Sequence, residues 1–221
     1  MPLDFSTARQ NMIEGQIRPN KVTDPRLLDC LQSLPRELFV RAEQKGFAYA
    51  EHEVEAAAGR MLMAPMLLAR MIEALDLMPH MNVLDVAPAT GYSSAVLAGV
   101  CKTVVGLEAD AGLATLAAQI CERAGITNAQ FVHGPISMGA KNLAPYDAIF
   151  VNGAVVDVPR TLFNQLAEGG RLVAIVGGQP GISPGKVNLF TKFHGTVSER
   201  VLFEAAASYV PGFTPHEEFS L

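Results

Sequence analysis

Residues 82–97 constrain the fold of this chain more than any other stretch. An apolar run over 82–86 carries Asp85 near its end, small residues follow over 87–91, and apolar residues at helical spacing continue to Leu97. A strand, a tight turn and a helix in this order are typical of the first βα unit of a doubly wound parallel sheet. The sequence therefore predicts an α/β fold whose ligand lies at the carboxyl end of this strand.

A second acid supports that ligand site. The apolar run 104–107 ends in Glu108, which lies 108 − 85 = 23 positions after Asp85. An acid about 20 residues beyond the first turn commonly binds ribose hydroxyls. The pair predicts a nucleoside-containing ligand across two adjacent strand ends. Alternatively, Glu108 is a surface acid at a strand end, and Asp85 only holds the turn through backbone N–H groups.

The remaining segments alternate between strand and helix signals, as a parallel sheet with crossover helices requires. Further strands are expected over 129–133, 146–151 and 171–176, followed by a Gly- and Pro-rich loop over 177–186 and a final antiparallel pair over 187–192 and 202–210. Helices are expected within 7–41, from Pro65, and over 113–124 and 158–166, with a loop over 46–63. We divide the chain into an N-terminal helical cap with an acceptor-side loop, 1–78, and a core, 79–221, together one compact domain.

Composition excludes several classes of protein. The net charge is −5 and no basic block follows a phosphate backbone, so nucleic acid is not an expected partner. No apolar run reaches membrane-spanning length, and the N-terminal residues lack the pattern of a secretory signal. The three cysteines and five histidines show no metal-ligand spacing, so we expect reduced thiols, no metal and a cytoplasmic location.

Three stretches resemble the protein-L-isoaspartate O-methyltransferase family. Residues 24–40 are similar to its N-terminal helices and contain the motif Pro-Arg-x-x-Phe-Val as Pro35-Arg36-Glu37-Leu38-Phe39-Val40. Residues 83–98 match its first cofactor motif in position and flanks, and residues 146–177 are similar to its later strands. Because these stretches cover nearly the whole chain in the family's order, the protein is identified as a divergent member.

The resemblance implies a class I S-adenosylmethionine methyltransferase: a Rossmann-like, mostly parallel sheet of seven strands, with an antiparallel C-terminal strand pair and added N-terminal helices. It implies S-adenosyl-L-methionine as cofactor and S-adenosyl-L-homocysteine as product. It also implies protein or peptide substrates whose damaged aspartate is methylated on its carboxylate, by an enzyme that we expect to be a monomer or a homodimer. A carboxylate is already anionic near neutral pH, so the reaction needs no dedicated base.

The resemblance carries candidate site residues with it. Those expected at the cofactor are Asp85, Ala87, Ala89, Gly91, Tyr92, Ser93, Glu108, Ala109 and Pro135. Tyr92 and Ser93 begin a helix, where they either meet the cofactor carboxylate or only cap and pack the helix. The acceptor-side candidates are Met63, Ala64 and Asn152, and no residue is assigned a catalytic role.

Two departures from the family pattern leave alternatives open. The family's Gly-x-Gly-x-Gly turn is Ala87-Pro88-Ala89-Thr90-Gly91 here, and its Thr-Ile-Ser-Gln is Met61-Leu62-Met63-Ala64. Alanine in left-handed geometry costs roughly 1–2 kcal/mol, and Met63 and Ala64 cannot orient a carboxylate. The alternatives are a non-catalytic relative that senses a nucleoside or binds a partner, and a methyltransferase of a small apolar acceptor.

Overall fold

A computed structural model describes residues 4–179 and 182–213. Within them, the main sheet has seven strands: β3 (Asn82–Val86), β4 (Thr103–Glu108), β5 (Ala129–His133), β6 (Tyr146–Val155), β7 (Leu166–Val176), β8 (Gly185–Phe193) and β9 (Thr196–Ala205). Their order across the sheet is β5-β4-β3-β6-β7-β8-β9. The strands from β5 to β7 are parallel, whereas β8 runs antiparallel to β7 and β9 antiparallel to β8. The predicted doubly wound sheet with an antiparallel C-terminal pair is confirmed.

The order of the strands creates the ligand edge. The chain passes from β3 to β4 on one side and later returns to β6 on the other side of β3. This reversal leaves a crevice at the carboxyl ends of β3 and β4, where open α/β sheets bind their ligands. The turn over 87–91 and the acid Glu108 both lie at this edge, at the ends of these two strands.

Helices cover both faces of the sheet. Helix α1 (Phe5–Met12) is N-capped by Asp4, and α2 (Pro25–Ser33) begins at Pro25 after the N-cap Asp24. The later helices are α3 (Pro65–Ala74), α4 (Tyr92–Ala98), α5 (Ala111–Arg123) and α6 (Arg160–Gln165). Successive residues of β3 point to opposite faces, so Val83 joins the core with the N-terminal helices and Leu84 joins the core on the α6 side.

The segment predicted as a loop over 46–63 contains a small hairpin, and that prediction is wrong. Strand β1 (Val54–Ala57) pairs antiparallel with β2 (Arg60–Leu62), and Gly59 adopts a φ of +68° in the connection between them. Val54 and Ala56 are buried while their neighbours are less so, which is the alternation of a half-buried strand. The run is so short and rich in alanine that its strand propensity is weak. The hairpin reaches the ligand edge of the main sheet.

The C-terminal strands differ from the predicted bounds. The last strand is Thr196–Ala205 rather than 202–210, because the chain reverses tightly at His194 and Gly195, both of which adopt positive φ. After Ala205 the chain crosses the end of β6, where the N–H of Val210 donates to the carbonyl of Ala154 at 2.8 Å. The loop predicted over 177–186 ends earlier, since β8 begins at Gly185, and its residues 180 and 181 lie outside the described part.

In the described ranges, no helix combines the length and the apolar character that crossing a bilayer requires. The division of the chain at residue 78 stays a prediction. The larger of the two apolar clusters contains residues from both sides of that boundary, such as Leu31 and Val104.

Gly106 in β4 is a position where a methyl group cannot be accommodated. A Cβ there would lie 2.6 Å from the Phe131 ring and 3.2 Å from Pro88 Cγ. We expect Gly106→Ala to lower the free energy of unfolding by about 1–3 kcal/mol, as overpacking does. The measurement is chemical denaturation.

Gly15→Ala is the matched control, because no atom lies within 4 Å of the Cβ it would add. The residue is exposed in a helical segment, so alanine should be neutral or stabilising there. Equal stability of the two variants would contradict the close packing at Gly106.

Candidate functional site

The turn after β3 keeps the backbone of a glycine turn although two of its glycines are replaced. Ala87, Ala89 and Gly91 have φ values of +64°, +53° and +92°, all in the left-handed region. Backbone hydrogen bonds hold this path: the N–H of Ala87 donates to the carbonyl of Leu107 at 2.8 Å, and that of Gly91 donates to the carbonyl of Pro88 at 2.9 Å. The predicted strain at the alanines is therefore present, because alanine disfavours this geometry.

Pro88 and Gly91 face the protein rather than the crevice. The Pro88 ring packs over Gly106 of β4. A Cβ on Gly91 would lie 3.1 Å from both Ala117 and Phe131, so this glycine allows α4 to pack closely on its neighbours. The proline that interrupts the family motif thus fills core space beside the turn.

Asp85 is a buried acid at the end of β3. Its Oδ2 accepts hydrogen bonds of 2.6 Å from the hydroxyls of Ser93 and Ser94, while Oδ1 has no hydrogen-bond partner in the described part of the chain. Burial raises the pKa of Asp85 to about 7, against the lowering effect of the two serine hydroxyls. Asp85 and Ser93 therefore link strand β3 to the start of α4.

Glu108 is held by a residue that is not among the predicted site residues. Arg60, at the start of β2, donates from Nη1 to Glu108 Oε1 at 2.5 Å and from Nη2 to Oε2 at 2.8 Å. Backbone N–H groups of Ala89 and Ala109 also donate to this carboxylate, at 3.0 and 2.8 Å. Glu108 is completely buried and Arg60 is 8% exposed. Glu108, the residue predicted to bind ribose, is thus one partner of a buried bidentate ion pair.

Tyr92 contributes packing rather than a side chain in the crevice. Its buried ring lies against Phe39 at a centroid distance of 5.3 Å, and the Arg36 guanidinium lies 4.6 Å from its centroid. Arg36 is fully buried and donates to the carbonyls of Ala48 and Met63 at 2.6 and 2.8 Å. The arginine of the Pro-Arg-x-x-Phe-Val motif therefore supports the backbone on either side of the β1–β2 hairpin.

Two of the three acceptor-side candidates, Met63 and Asn152, line the same small cavity. Asn152 donates to Ser93 Oγ at 3.0 Å and to the Ala87 carbonyl at 3.4 Å, the same carbonyl that accepts from Arg60 at 3.1 Å. Asn152, Arg60 and Met63 line a cavity of about 20 Å³. That volume holds about one water molecule. Ala64 precedes α3 as its N-cap residue and does not line the cavity.

A second space opens beyond the ends of β4 and β5. Pro135 lines an open, mainly apolar groove of about 530 Å³, together with Leu107, Gly134, Met138 and Leu143. Pro135 itself is exposed. This groove is large enough for a flat aromatic ring system, and it begins next to Glu108 along β4.

These observations test whether S-adenosylmethionine fits the site. The residue types and the backbone suit a nucleoside: a left-handed turn, an acid at the end of β4 and an apolar groove beside it. The conformation is closed, however, because Arg60 uses the carboxylate oxygens that ribose hydroxyls require, and the adjoining cavity has room for only one water. In this conformation both Glu108 oxygens that ribose hydroxyls would use are in contact with Arg60.

The strand order and the turn define a Rossmann-like fold of the class I S-adenosylmethionine-dependent methyltransferases. The family model described as protein-L-isoaspartate(D-aspartate) O-methyltransferase matches residues 7–212, and the chain belongs to this family. The predicted family and fold class are thereby confirmed. The family uses S-adenosylmethionine, which agrees with the cofactor prediction.

Individual relatives agree with this assignment. The protein-L-isoaspartate O-methyltransferase of Koribacter versatilis is 40% identical over 173 residues, which are 78% of this chain and 78% of the relative. That of Methanoculleus marisnigri is 37% identical over 169 residues, 76% of this chain and 77% of the relative.

Solved structures give the same fold. A protein-L-isoaspartate O-methyltransferase structure, 27% identical, has a TM-score of 0.80 over 92% of this chain and 66% of its own. A Plasmodium falciparum beta-aspartate methyltransferase, solved in complex with S-adenosyl-L-homocysteine, is 20% identical and has a TM-score of 0.74 over 93% of this chain and 97% of its own.

Sequence reasoning missed Arg60 and the buried role of Arg36. The available signal for Arg60 was that it stands directly after Gly59, amid small and apolar residues, in the segment that the family match places next to the acceptor. The signal for Arg36 was the family motif itself. The structure brings seven of the predicted site residues into one connected hydrogen-bond network with Arg60: Asp85, Ala87, Ala89, Ser93, Glu108, Ala109 and Asn152. The cofactor and acceptor roles of these residues stay predictions.

The strained alanines give a measurable signature. At Ala87 and Ala89, replacement by glycine removes a buried methyl group but relieves the left-handed strain. At Ala95, buried in α4, the same replacement removes a methyl group and adds the cost of a helical glycine. We expect Ala87→Gly and Ala89→Gly each to lower the free energy of unfolding by about 1–2 kcal/mol less than Ala95→Gly does. Identical costs at the three positions, by chemical denaturation, would show that the turn carries no strain.

Asp85 should make stability depend on pH. The folded-state pKa of about 7 lies above the ordinary value of 3.8, so the unfolded chain loses this proton first as the pH rises. The contribution of Asp85 to stability therefore declines between about pH 4 and pH 7, by up to roughly 4 kcal/mol. Asp85→Asn should remove that part of the decline, measured by denaturation across this pH range. The exposed Asp29→Asn is the control, and equal pH profiles for Asp85→Asn and the wild type would refute the assignment.

Proposed function

We propose that this protein is an S-adenosylmethionine-dependent methyltransferase that acts on a carboxylate of damaged aspartate in proteins or peptides. One observation carries the proposal: the turn keeps three left-handed residues, although alanine at two of them makes this path costly. A structural turn of this length has cheaper conformations available. Retention of the strained path supports a ligand that requires this backbone.

The residues that would hold the cofactor lie along the edge of the sheet. Glu108 would accept the ribose hydroxyls, and the backbone from Ala87 to Gly91 would lie along the rest of the molecule. Pro135, which lines the open groove, and Ala109 would flank the base. When bound, S-adenosylmethionine supplies an electrophilic methyl group.

The contribution of the chain itself is orientation and dehydration. An acceptor carboxylate is ionised near neutral pH, so the protein needs no base to activate it. Met63 is 3% exposed and Tyr209 lines the same cavity, so the acceptor side is shielded from water. Asn152 provides an amide at this position, held by Ser93 and the turn. Alignment and exclusion of water can supply much of the rate enhancement.

The first experiment is calorimetric titration with S-adenosyl-L-homocysteine, followed by transfer of a labelled methyl group from S-adenosylmethionine to an isoaspartyl peptide. The same peptide with a normal aspartyl residue is the control substrate. We expect binding and selective labelling of the isoaspartyl peptide. Absence of binding at millimolar ligand would favour a non-catalytic relative, and binding without labelling would favour a small apolar acceptor.

A variant with the family's turn tests the cofactor site directly. The combined change of Ala87→Gly, Pro88→Thr and Ala89→Gly relieves strain and restores a backbone N–H at position 88. We expect it to bind S-adenosyl-L-homocysteine several-fold more tightly than the wild type. Unchanged affinity would show that the turn does not contact the cofactor.

A further inference from the structure

We propose that Arg60 is the residue that binds the acceptor carboxylate. Before the cofactor binds, Glu108 holds Arg60, and the ribose of the cofactor then displaces Arg60 from Glu108. The inference rests on the proposed function and extends it to a residue for which the family motif gives no role. It makes cofactor binding the event that completes the acceptor site.

The present contacts of Arg60 show how well it suits a carboxylate. Both terminal nitrogens donate to Glu108, one to each oxygen, in the parallel arrangement that arginine forms with carboxylates. A third hydrogen bond runs to the carbonyl of Ala87. The pair is almost completely buried, so neither charge is compensated by solvent.

Ribose and Arg60 compete for the same atoms. Glu108 Oε1 accepts hydrogen bonds from Arg60 and from the backbone N–H groups of Ala109 and, at 3.4 Å, Asp110. Its Oε2 accepts hydrogen bonds from Arg60 and the backbone N–H of Ala89. A carboxylate has about four acceptor positions in total. Ribose hydroxyls can therefore bind Glu108 only when Arg60 withdraws.

The displaced guanidinium needs a new anion, because a buried charge without a partner is strongly unfavourable. Among the described residues that line the adjoining cavity, Arg60 is the one cationic side chain. Glu53, the one carboxylate there, already accepts hydrogen bonds from the Ser208 backbone N–H at 2.9 Å and its hydroxyl at 2.7 Å. Asp85, the other acid nearby, does not line this cavity, so an anion that reaches Arg60 there enters from outside, and the proposed acceptor carries one.

The position of Arg60 matches this role. Its Nη2 and the amide of Asn152 both donate to the Ala87 carbonyl, so the guanidinium already lies beside the acceptor-side candidate. Met63 and Ala64 offer no side-chain hydrogen bond to an acceptor carboxylate. The Arg60 guanidinium would supply those hydrogen bonds instead. The hairpin that carries Arg60 pairs through only a few residues and turns at Gly59, so a small shift of its tip breaks few bonds.

The test uses the full-length chain and two probes. Calorimetry measures the affinity for S-adenosyl-L-homocysteine, and then the affinity for an isoaspartyl peptide in the presence of saturating S-adenosyl-L-homocysteine. The variants are Arg60→Ala, which removes the guanidinium, and Arg60→Lys, which keeps a charge without the planar fork. Arg41→Ala is the matched control, since Arg41 pairs with Glu55 in an exposed ion pair. Circular dichroism checks the fold of each variant.

For Arg60→Ala we expect opposite changes in the two affinities. S-adenosyl-L-homocysteine should bind at least about tenfold more tightly because its competitor is gone, and the isoaspartyl peptide about tenfold or more weakly. The melting temperature without ligand should fall, because Glu108 loses its counter-ion. Arg60→Lys should show intermediate effects and remains informative if Arg60→Ala does not fold, and Arg41→Ala should match the wild type.

Each other outcome overturns the proposal in a distinct way. Unchanged affinity for S-adenosyl-L-homocysteine in the Arg60 variants would show that Arg60 does not compete with ribose, while the proposed function would stand. Tighter cofactor binding with unchanged peptide binding would refute the acceptor role alone. If neither the wild type nor any variant binds S-adenosyl-L-homocysteine, the proposal and the proposed function both fail.

Discussion

The structure depends on the requirement that the chain reverse direction at the end of β3 within five residues. Left-handed backbone at 87, 89 and 91 meets this requirement and brings the turn against the end of β4. That approach is what allows the N–H of Ala89 to reach the Glu108 carboxylate. Glu108, strand β3 and the start of α4 thereby form one connected edge of the sheet. The remaining elements either pack beneath this edge or cover it.

Arg60 turns this edge into a closed site. A buried glutamate on its own would be costly, and the guanidinium compensates it from a different part of the chain. The ion pair therefore has two consequences of opposite kind: it compensates the buried charge of Glu108, and it occupies the carboxylate oxygens that we propose for the ribose hydroxyls. Under our proposal this salt bridge is an exchangeable contact rather than a permanent support.

Much of the fold follows from the sequence because periodic, well-bounded segments dominate it. Strand β5 was predicted with its observed bounds, since 129–133 is isolated by turn residues on both sides. The β1–β2 hairpin was missed because a short alanine-rich run has little propensity of its own and becomes a strand only by pairing. The site was predicted in part for a related reason. Glu108 belongs to a local motif, whereas its partner lies 48 residues earlier on the hairpin that was not predicted.

The buried arginine of the N-terminal motif has a consequence for how such proteins diverge. Arg36 supports the backbone on either side of the β1–β2 hairpin by donating hydrogen bonds to the carbonyl oxygens of Ala48 and Met63. A peptide carbonyl is the same whichever residue provides it. The side chains of Met61 and Ala64, which are only partly buried, are consequently free to change in character while the backbone keeps its place, whereas Leu62 and Met63 belong to the core. At these partly buried positions a polar acceptor surface can be replaced by an apolar one through a few mutations, with little loss of stability.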